Sequence, residues 1–218
     1  MISVVIPTFN RKWQVLRALK AIPSDVQVIV VDDGCTDGTE DVVRGMNRSH
    51  LLYIKRQNGG PAAARNAGIL AASGDHIAFT DDDCVPVFPW PWPLVSRLER
   101  EGRGVAGVGG RVGPLHCGVF SRYYTFHRVL EPPESCPYLV TANCAYRRDV
   151  LLQVGGFDAR IRHPGGEDPG LSMKVRAKGY RLAFEPQALV LHAYRESLRD
   201  FVRTFMRYGK GCAYVMGA

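Results

Sequence analysis

Val26-Gln27-Val28-Ile29-Val30-Val31 runs directly into Asp32-Asp33-Gly34, and the reading of this stretch decides the fold. Its apolar side chains follow one another without alternating, as in a strand buried on both faces. Working outward, Ser3 to Pro7 is a short β-branched run, and Arg11 to Ile22 has helical spacing through Trp13, Leu16, Leu19 and Lys20. Thr36 to Asn47 predicts a second helix, Leu51 to Lys55 a strand, Pro61 to Ser73 an alanine-rich helix and Asp75 to Thr80 another strand. The order β-α-β-α-β-α-β predicts an α/β, Rossmann-like domain whose mostly parallel central sheet is flanked by helices on both faces. Ligands of such sheets bind beyond the carboxyl ends of the strands. Thr8-Phe9-Asn10, Asp32-Asp33-Gly34 and Asp81-Asp82-Asp83 all stand at strand ends and are expected to converge on one crevice.

Further along, Val95 to Glu101 reads as a helix and Val105 to Val112 as a strand in a glycine-rich segment. Phe120 to Pro137 carries aromatics and the Pro132-Pro133 break, and reads as a loop that covers a ligand. Asp149 to Val154 predicts a short helix closed by Gly155-Gly156, Gly170 to Lys178 a helix closed by Gly179, and Ala188 to His192 a late strand. No repeat or low-complexity linker divides the chain, so residues 1–194 are expected to form one domain. A basic amphipathic helix is expected over 195–218. In it Leu198, Phe201, Val202, Phe205 and Met206 form an apolar stripe, and Arg195, Arg199, Arg203 and Arg207 recur every four residues. That helix reads either as docked on the domain with solvated arginines, or as interfacial, leaning on anionic lipid or gripping a phospholipid acceptor. Tyr208-Gly209-Lys210-Gly211 would then lie near the acceptor opening.

The 218 residues can bury a good core, and 46% hydrophobic with 22% charged residues is ordinary for a globular protein. The net charge of +7 favours an anionic partner: a nucleotide, a phospholipid surface or a nucleic acid. No run is long and apolar enough to span a bilayer. Met1-Ile2-Ser3-Val4 enters a strand pattern at once, so no secretory signal is expected. Cys35, Cys84, Cys117, Cys136, Cys144 and Cys212 show no zinc-type spacing and read as reduced thiols of a cytoplasmic protein.

Three consecutive carboxylates, Asp81-Asp82-Asp83, after the apolar His76-Ile77-Ala78-Phe79 repel one another unless a cation sits among them. A hard divalent ion with oxygen ligands, Mg²⁺ or Mn²⁺, suits that place; an acidic surface turn is the plainer reading. Asp32 and Asp33 divide between shaping a turn and accepting from a base or ribose. Arg65, one turn into a helix that opens at Pro61, is either a surface arginine or a partner for Asp33 or a phosphate. Asp168 before Pro169 is a good N-cap, and with Glu167 also a plausible general base. His192, ending a strand, is either a core residue or a further metal ligand that tilts selectivity toward Mn²⁺.

Val5-Ile6-Pro7-Thr8-Phe9-Asn10-Arg11, Val31-Asp32-Asp33-Gly34 with Thr36-Asp37-Gly38-Thr39, Asn58-Gly59-Gly60 with Ala64-Arg65-Asn66-Ala67-Gly68, Phe79-Thr80-Asp81-Asp82-Asp83, Gly155-Gly156-Phe157-Asp158 and Gly166-Glu167-Asp168 occur in this order. The series resembles a family 2 glycosyltransferase of the GT-A fold, over about residues 2 to 192. The resemblance implies a metal-dependent, inverting transfer of a sugar from a nucleotide diphosphate donor to an acceptor hydroxyl. It implies donor contacts from Pro7, Thr8, Phe9, Arg11, Asp33, Arg65, Asp81 and Asp82, with Phe9 against the base and Asp33 accepting from an imide N–H. An imide favours UDP- or dTDP-sugars over ADP-sugars. It implies a Mn²⁺ or Mg²⁺ site at Asp81, Asp83 and His192, and Asp168 as catalytic base beside Glu167. The implied partners are a nucleotide-sugar and a glycan, lipid-linked or small-molecule acceptor, and no nucleic acid; the interfacial reading of the basic helix adds peripheral contact of 195–210 with an anionic inner membrane face.

Two rivals differ in their sequence marks. A sugar-1-phosphate nucleotidyltransferase opens with a glycine-rich phosphate loop after its first strand, which Pro7-Thr8-Phe9-Asn10 is not. A non-catalytic nucleotide-sugar-binding module gains nothing from five carboxylates at 81–83 and 167–168.

Overall fold

In the computed structural model, which describes residues 1–133 and 135–217, the deciding stretch becomes β2 (Gln27–Asp32). It pairs in parallel with β1 (Ile2–Thr8) on one side and β3 (Leu51–Lys55) on the other. β4 (His76–Phe79) pairs in parallel with the far edge of β1. The crossovers are α1 (Lys12–Ala21), α2 (Thr39–Arg44) and α3 (Pro61–Ala71). α2 is shorter than the predicted Thr36–Asn47 because Asp37 builds a turn ahead of it. The Asp37 carboxylate accepts from Lys12 N at 3.0 Å and Thr39 N at 3.1 Å.

Alternate side chains of each strand face opposite layers. Val4, Ile6, Val28 and Val30 meet Val15 and Leu19 of α1 on one face. Val5, Ile29 and Val31 meet Ala64 and Ile69 of α3 on the other. Gly68 brings α3 close to β1, since a side chain there would strike Val5. The sheet is therefore covered on both faces, as the unbroken apolar runs predict.

The second half adds β5 (Cys84–Pro86), α4 (Trp92–Arg100), β6 (Val105–Pro114), α5 (Val119–Phe126), β7 (Cys144–Arg147), α6 (Arg148–Gln153), α7 (Glu167–Ala177), β8 (Arg181–His192) and α8 (Leu198–Gly217). Eight strands are ordered β3-β2-β1-β4-β7-β6-β8-β5 among the described residues. β7 runs antiparallel to both β4 and β6, and β5 antiparallel to β8, while β6 and β8 are parallel. The domain is α/β with its parallel half at β3-β2-β1-β4, and the antiparallel strands bring the late His192 back beside Asp83.

Phe120 to Pro137 is corrected in part: its first turns are α5. That helix is held by distant contacts which local pattern does not show. Glu196 accepts from Phe120 N and Ser121 N, both at 3.0 Å, and so satisfies the open N-terminus. Tyr124 stacks on Tyr194 at 4.6 Å and on Phe205 at 5.8 Å. The helix expected over 195–218 appears as α8, which begins only at Leu198; residue 218 lies outside the described residues. Among the described residues no helix is long and apolar enough to cross a membrane.

Candidate functional site

A cleft of about 450 Å³ opens at the carboxyl ends of β1, β2 and β4. Pro7, Thr8, Phe9, Arg11, Asp33, Arg65, Asp81, Asp82, Asp83 and His192 all line it. Residues from three separate strand ends are thus brought together by the parallel half of the sheet, the expected convergence. Phe9 is 47% exposed and offers its ring to the cleft.

Two arginines stand among the acids. Arg11, at the start of α1, reaches Asp82 Oδ1 at 2.8 Å and Asp83 Oδ2 at 2.6 Å with the same guanidinium nitrogen. Asp82 also accepts from Thr8 Oγ1 at 2.9 Å. Arg65, buried on α3, reaches Asp81 Oδ1 at 2.7 Å and Glu167 Oε1 at 3.2 Å. The carboxylates are therefore shared between two fixed cations, and Asp81 turns away from Asp83 toward Arg65. Burial pushes the Asp82 carboxyl up to about 7, against the pull of Arg11 and with the help of the Asp83 charge. Asp83 goes the other way, because His192 and Arg11 outweigh its burial.

Asp32 and Asp33 separate cleanly. Asp32 is fully buried, accepts from Gly34 N at 2.9 Å and Cys35 N at 2.5 Å, and bonds the Tyr53 hydroxyl, so it shapes the turn. Asp33 faces the cleft and accepts from Gly60 N at 2.8 Å and Gly59 N at 3.1 Å. The guanidinium that reaches Asp33 is that of Arg56, not the expected Arg65. Arg65 is drawn away by Asp81 and Glu167, which lie nearer its end of α3.

Asp168 is not the N-cap of α7. The helix starts at Glu167, its N-cap is Gly166 at φ +95°, and no side chain caps it. The Asp168 carboxylate instead accepts from Thr141 N at 3.1 Å and Thr141 Oγ1 at 2.9 Å. Burial and the neighbouring Glu167 push its carboxyl up to about 7, with Arg65 resisting. Glu167 is spent on positioning: it accepts from Arg65 and, at 2.6 Å, from Gly165 N.

A divalent cation fits one corner. The Asp83, Cys84 and His192 ligand atoms lie within 4.8 Å of one another, and His192 Nε2 is 3.4 Å from Asp83 Oδ1. His192 Nδ1 is buried with no hydrogen-bond partner. Burial raises the Cys84 thiol well above its ordinary range, which keeps it protonated and leaves the oxygen and nitrogen donors. A carboxylate with an imidazole suits Mn²⁺ better than Mg²⁺. Asp81 belongs to the Arg65 side of the cleft rather than to this group.

The wall opposite the acids comes from α5, α8 and the loop before α7, through Tyr124, Arg162, His163, Phe201, Thr204, Arg207 and Tyr208. Tyr208 stands at the opening where the 208–211 stretch is expected. Behind it the backbones of the two elements touch: a side chain on Gly166 would put its first carbon 2.6 Å from the Gly211 carbonyl oxygen. Thr141, which holds Asp168, and Arg56, which holds Asp33, are missed by sequence reasoning. Arg56 stands directly after β3, a strand-end position that marks it; Thr141 carries no such signal.

Two family models match the chain. A family model described as Glycosyl transferase family 2 matches residues 3–155, and one described as Glycosyl transferase family group 2 matches 103–217. The chain is 33% identical over 225 residues to a Pre-mycofactocin glycosyltransferase of Mycobacterium tuberculosis, covering 97% of this chain and 47% of that protein. It is 30% identical to Glycosyltransferase AglE of Haloferax volcanii, covering 96% of this chain and 72% of the relative. The chain thus spans about half the length of the mycobacterial relative and more of the archaeal one. In fold it resembles the crystal structure of GalNAc-T7 with UDP, GalNAc and Mn²⁺, at a TM-score of 0.71 and 19% identity over 94% of this chain and 47% of that one.

Proposed function

The chain belongs to glycosyl transferase family 2, and on that premise we propose that it moves a sugar with inversion from a nucleoside diphosphate to an acceptor hydroxyl. The observation that carries this reading is the cleft itself, where three strand ends bring Asp33 and Asp81 to Asp83 together with Arg11 and Arg65, the latter also reaching Glu167 next to Asp168. The acceptor oxygen attacks the anomeric carbon from the face opposite the diphosphate. The bond from that carbon to the diphosphate oxygen breaks, and its electron pair leaves with the nucleoside diphosphate. The acceptor proton would go to the Asp168 carboxylate, which Thr141 holds in place through two hydrogen bonds. Glu167 and Arg65 fix the loop and charge around it.

Asp83 and His192 would hold a Mn²⁺ or Mg²⁺ ion, which when bound neutralises charge on the departing diphosphate. Arg11 holds Asp83 in the structure and would yield part of that contact to the ion. Nucleoside diphosphate binding should therefore require a divalent ion, and Asp83→Ala should abolish the requirement together with most turnover. Calorimetry with and without the metal checks this, and undiminished metal-dependent turnover in Asp83→Ala would sink the assignment.

The base would lie on Phe9 and Pro7 and give an imide N–H to Asp33 in place of the Arg56 contact. UDP or dTDP should therefore bind more tightly than ADP, which lacks that donor. Titration with the four diphosphates decides it; an ADP preference refutes the role of Asp33. The acceptor would enter along α8, whose basic and apolar side chains would rest the chain peripherally on an anionic membrane.

A further inference from the structure

The outer surface of α8 carries a feature that the donor cleft does not use. Arg195, Arg203, Arg207, Lys210, Asp200 and Met206 line a depression of about 320 Å³. Arg195, Asp200 and Arg207 also line the main cleft, so the two adjoin. Asp200 is occupied by Ser197, which donates to it at 2.8 Å, and sits 3.5 Å from Arg195. Arg203, Arg207 and Lys210 have no carboxylate within ion-pair distance among the described residues, and all three are exposed.

The helix has three columns. Phe201, Phe205 and Tyr208 face inward, Phe201 and Phe205 lying against Tyr123 and Tyr124 of α5. Leu198, Val202 and Met206, four residues apart, are 66%, 47% and 58% exposed. The unpaired cations form the column between the cleft mouth and this apolar one. Cations alone would suit a soluble anion, and an apolar stripe alone would suit another helix. Side by side they match a molecule with an anionic head and an apolar chain.

We propose that this depression is an acceptor subsite, in which Arg203, Arg207 and Lys210 take the phosphate of a lipid-borne acceptor while Leu198, Val202 and Met206 lie on its apolar chain. This deepens the glycosyltransferase reading and rests on it for the word acceptor. The head group would then lie at the cleft mouth, with the rest of the acceptor directed toward Asp168.

Co-sedimentation of the intact chain with vesicles tests it, using neutral phosphatidylcholine alone, with phosphatidic acid, and with phosphatidylglycerol at matched charge. The expected order is phosphatidic acid above phosphatidylglycerol, with neutral vesicles weakest, because an exposed phosphomonoester fits a pocket of cations better than a diester. Arg203→Gln with Lys210→Gln should weaken phosphatidic acid binding roughly 30-fold, at about fivefold per charge. Val202→Ser with Met206→Ser should also weaken it while leaving the binding of sodium pyrophosphate intact. Equal binding of the two acidic lipids, or a charge variant that keeps the preference, overturns the subsite. Pyrophosphate bound as tightly as the vesicles, with the serine variant unaffected, assigns the cations to a soluble anion and overturns the lipid. UDP titration of the same proteins is a separate reading: if wild type fails to bind UDP, the donor assignment fails, whatever the vesicles show.

Discussion

Asp168→Asn should give a folded protein that binds nucleoside diphosphate as wild type does and turns over about 10²–10⁴-fold more slowly. Asparagine keeps the shape and both contacts with Thr141: its oxygen accepts from the Thr141 N–H and its NH₂ donates to Thr141 Oγ1. It loses only the capacity to take a proton. The native carboxyl suits that task, since burial and Glu167 push it up to about 7, near the working pH of a good general base. Wild-type turnover should therefore rise with pH through about 7 as the carboxylate forms. Stability should run the opposite way. A carboxyl that holds its proton more tightly folded than unfolded leaves the native state with more bound protons between pH 3.8 and about 7, so stability falls as pH rises through that window. Asp168→Asn removes this loss. It should melt at or above wild type on the alkaline side of the window and close to it on the acid side. Normal turnover in Asp168→Asn, with the donor bound, would hand the proton to a different group.

Arg65→Met should destabilise the protein by about 3–5 kcal/mol, because it leaves buried Glu167 and half-covered Asp81 without their cation. For a domain of this size that lowers the melting temperature by roughly 6–20 °C. Arg65→Lys should not rescue fully, since one ammonium cannot span two carboxylates as the guanidinium fork does. Adding Glu167→Gln to Arg65→Met should recover part of the loss, which identifies the unpaired Glu167 charge as its source. Arg65 also pulls the Asp168 carboxyl down, so any surviving activity in Arg65→Met should need a higher pH. A melting temperature within about 2 °C of wild type would show that water already stabilises these acids without the arginine.

The parallel half of the fold was legible because each strand is an unbroken apolar run ending in polar residues, and β3 has the predicted bounds of Leu51–Lys55. The convergence of Thr8, Asp33 and Asp81 to Asp83 followed from that topology alone. The antiparallel strands were not legible. β5 has three residues and β7 four, too few to show a period, and β7 finds its place between β4 and β6 by pairing. α5 was hidden because Glu196, far along the chain, supplies its N-terminal acceptor. The acids at 81–83 were found, but their partners were not. Sequence spacing cannot show that Arg65 chooses Asp81 and Glu167 over Asp33, or that Asp168 is held by Thr141 and does not cap a helix.

The contact between Gly166 and Gly211 sets a rule for grafting. The acidic side of the cleft comes mainly from the first hundred residues, whereas the facing wall draws on α8 together with α5 and the loop before α7. Such a wall lends itself to exchange: a different terminal helix would present a new acceptor surface to an unchanged nucleotide site. The knuckle limits that freedom. A carbon added to Gly211 would lie 2.0 Å from the Gly165 carbonyl oxygen, and one added to Gly166 2.6 Å from the Gly211 oxygen, so neither position has room for even a methyl group. Any helix transplanted here must carry a glycine at that level, or it will prise the loop of Glu167 and Asp168 away from Arg65 and Thr141.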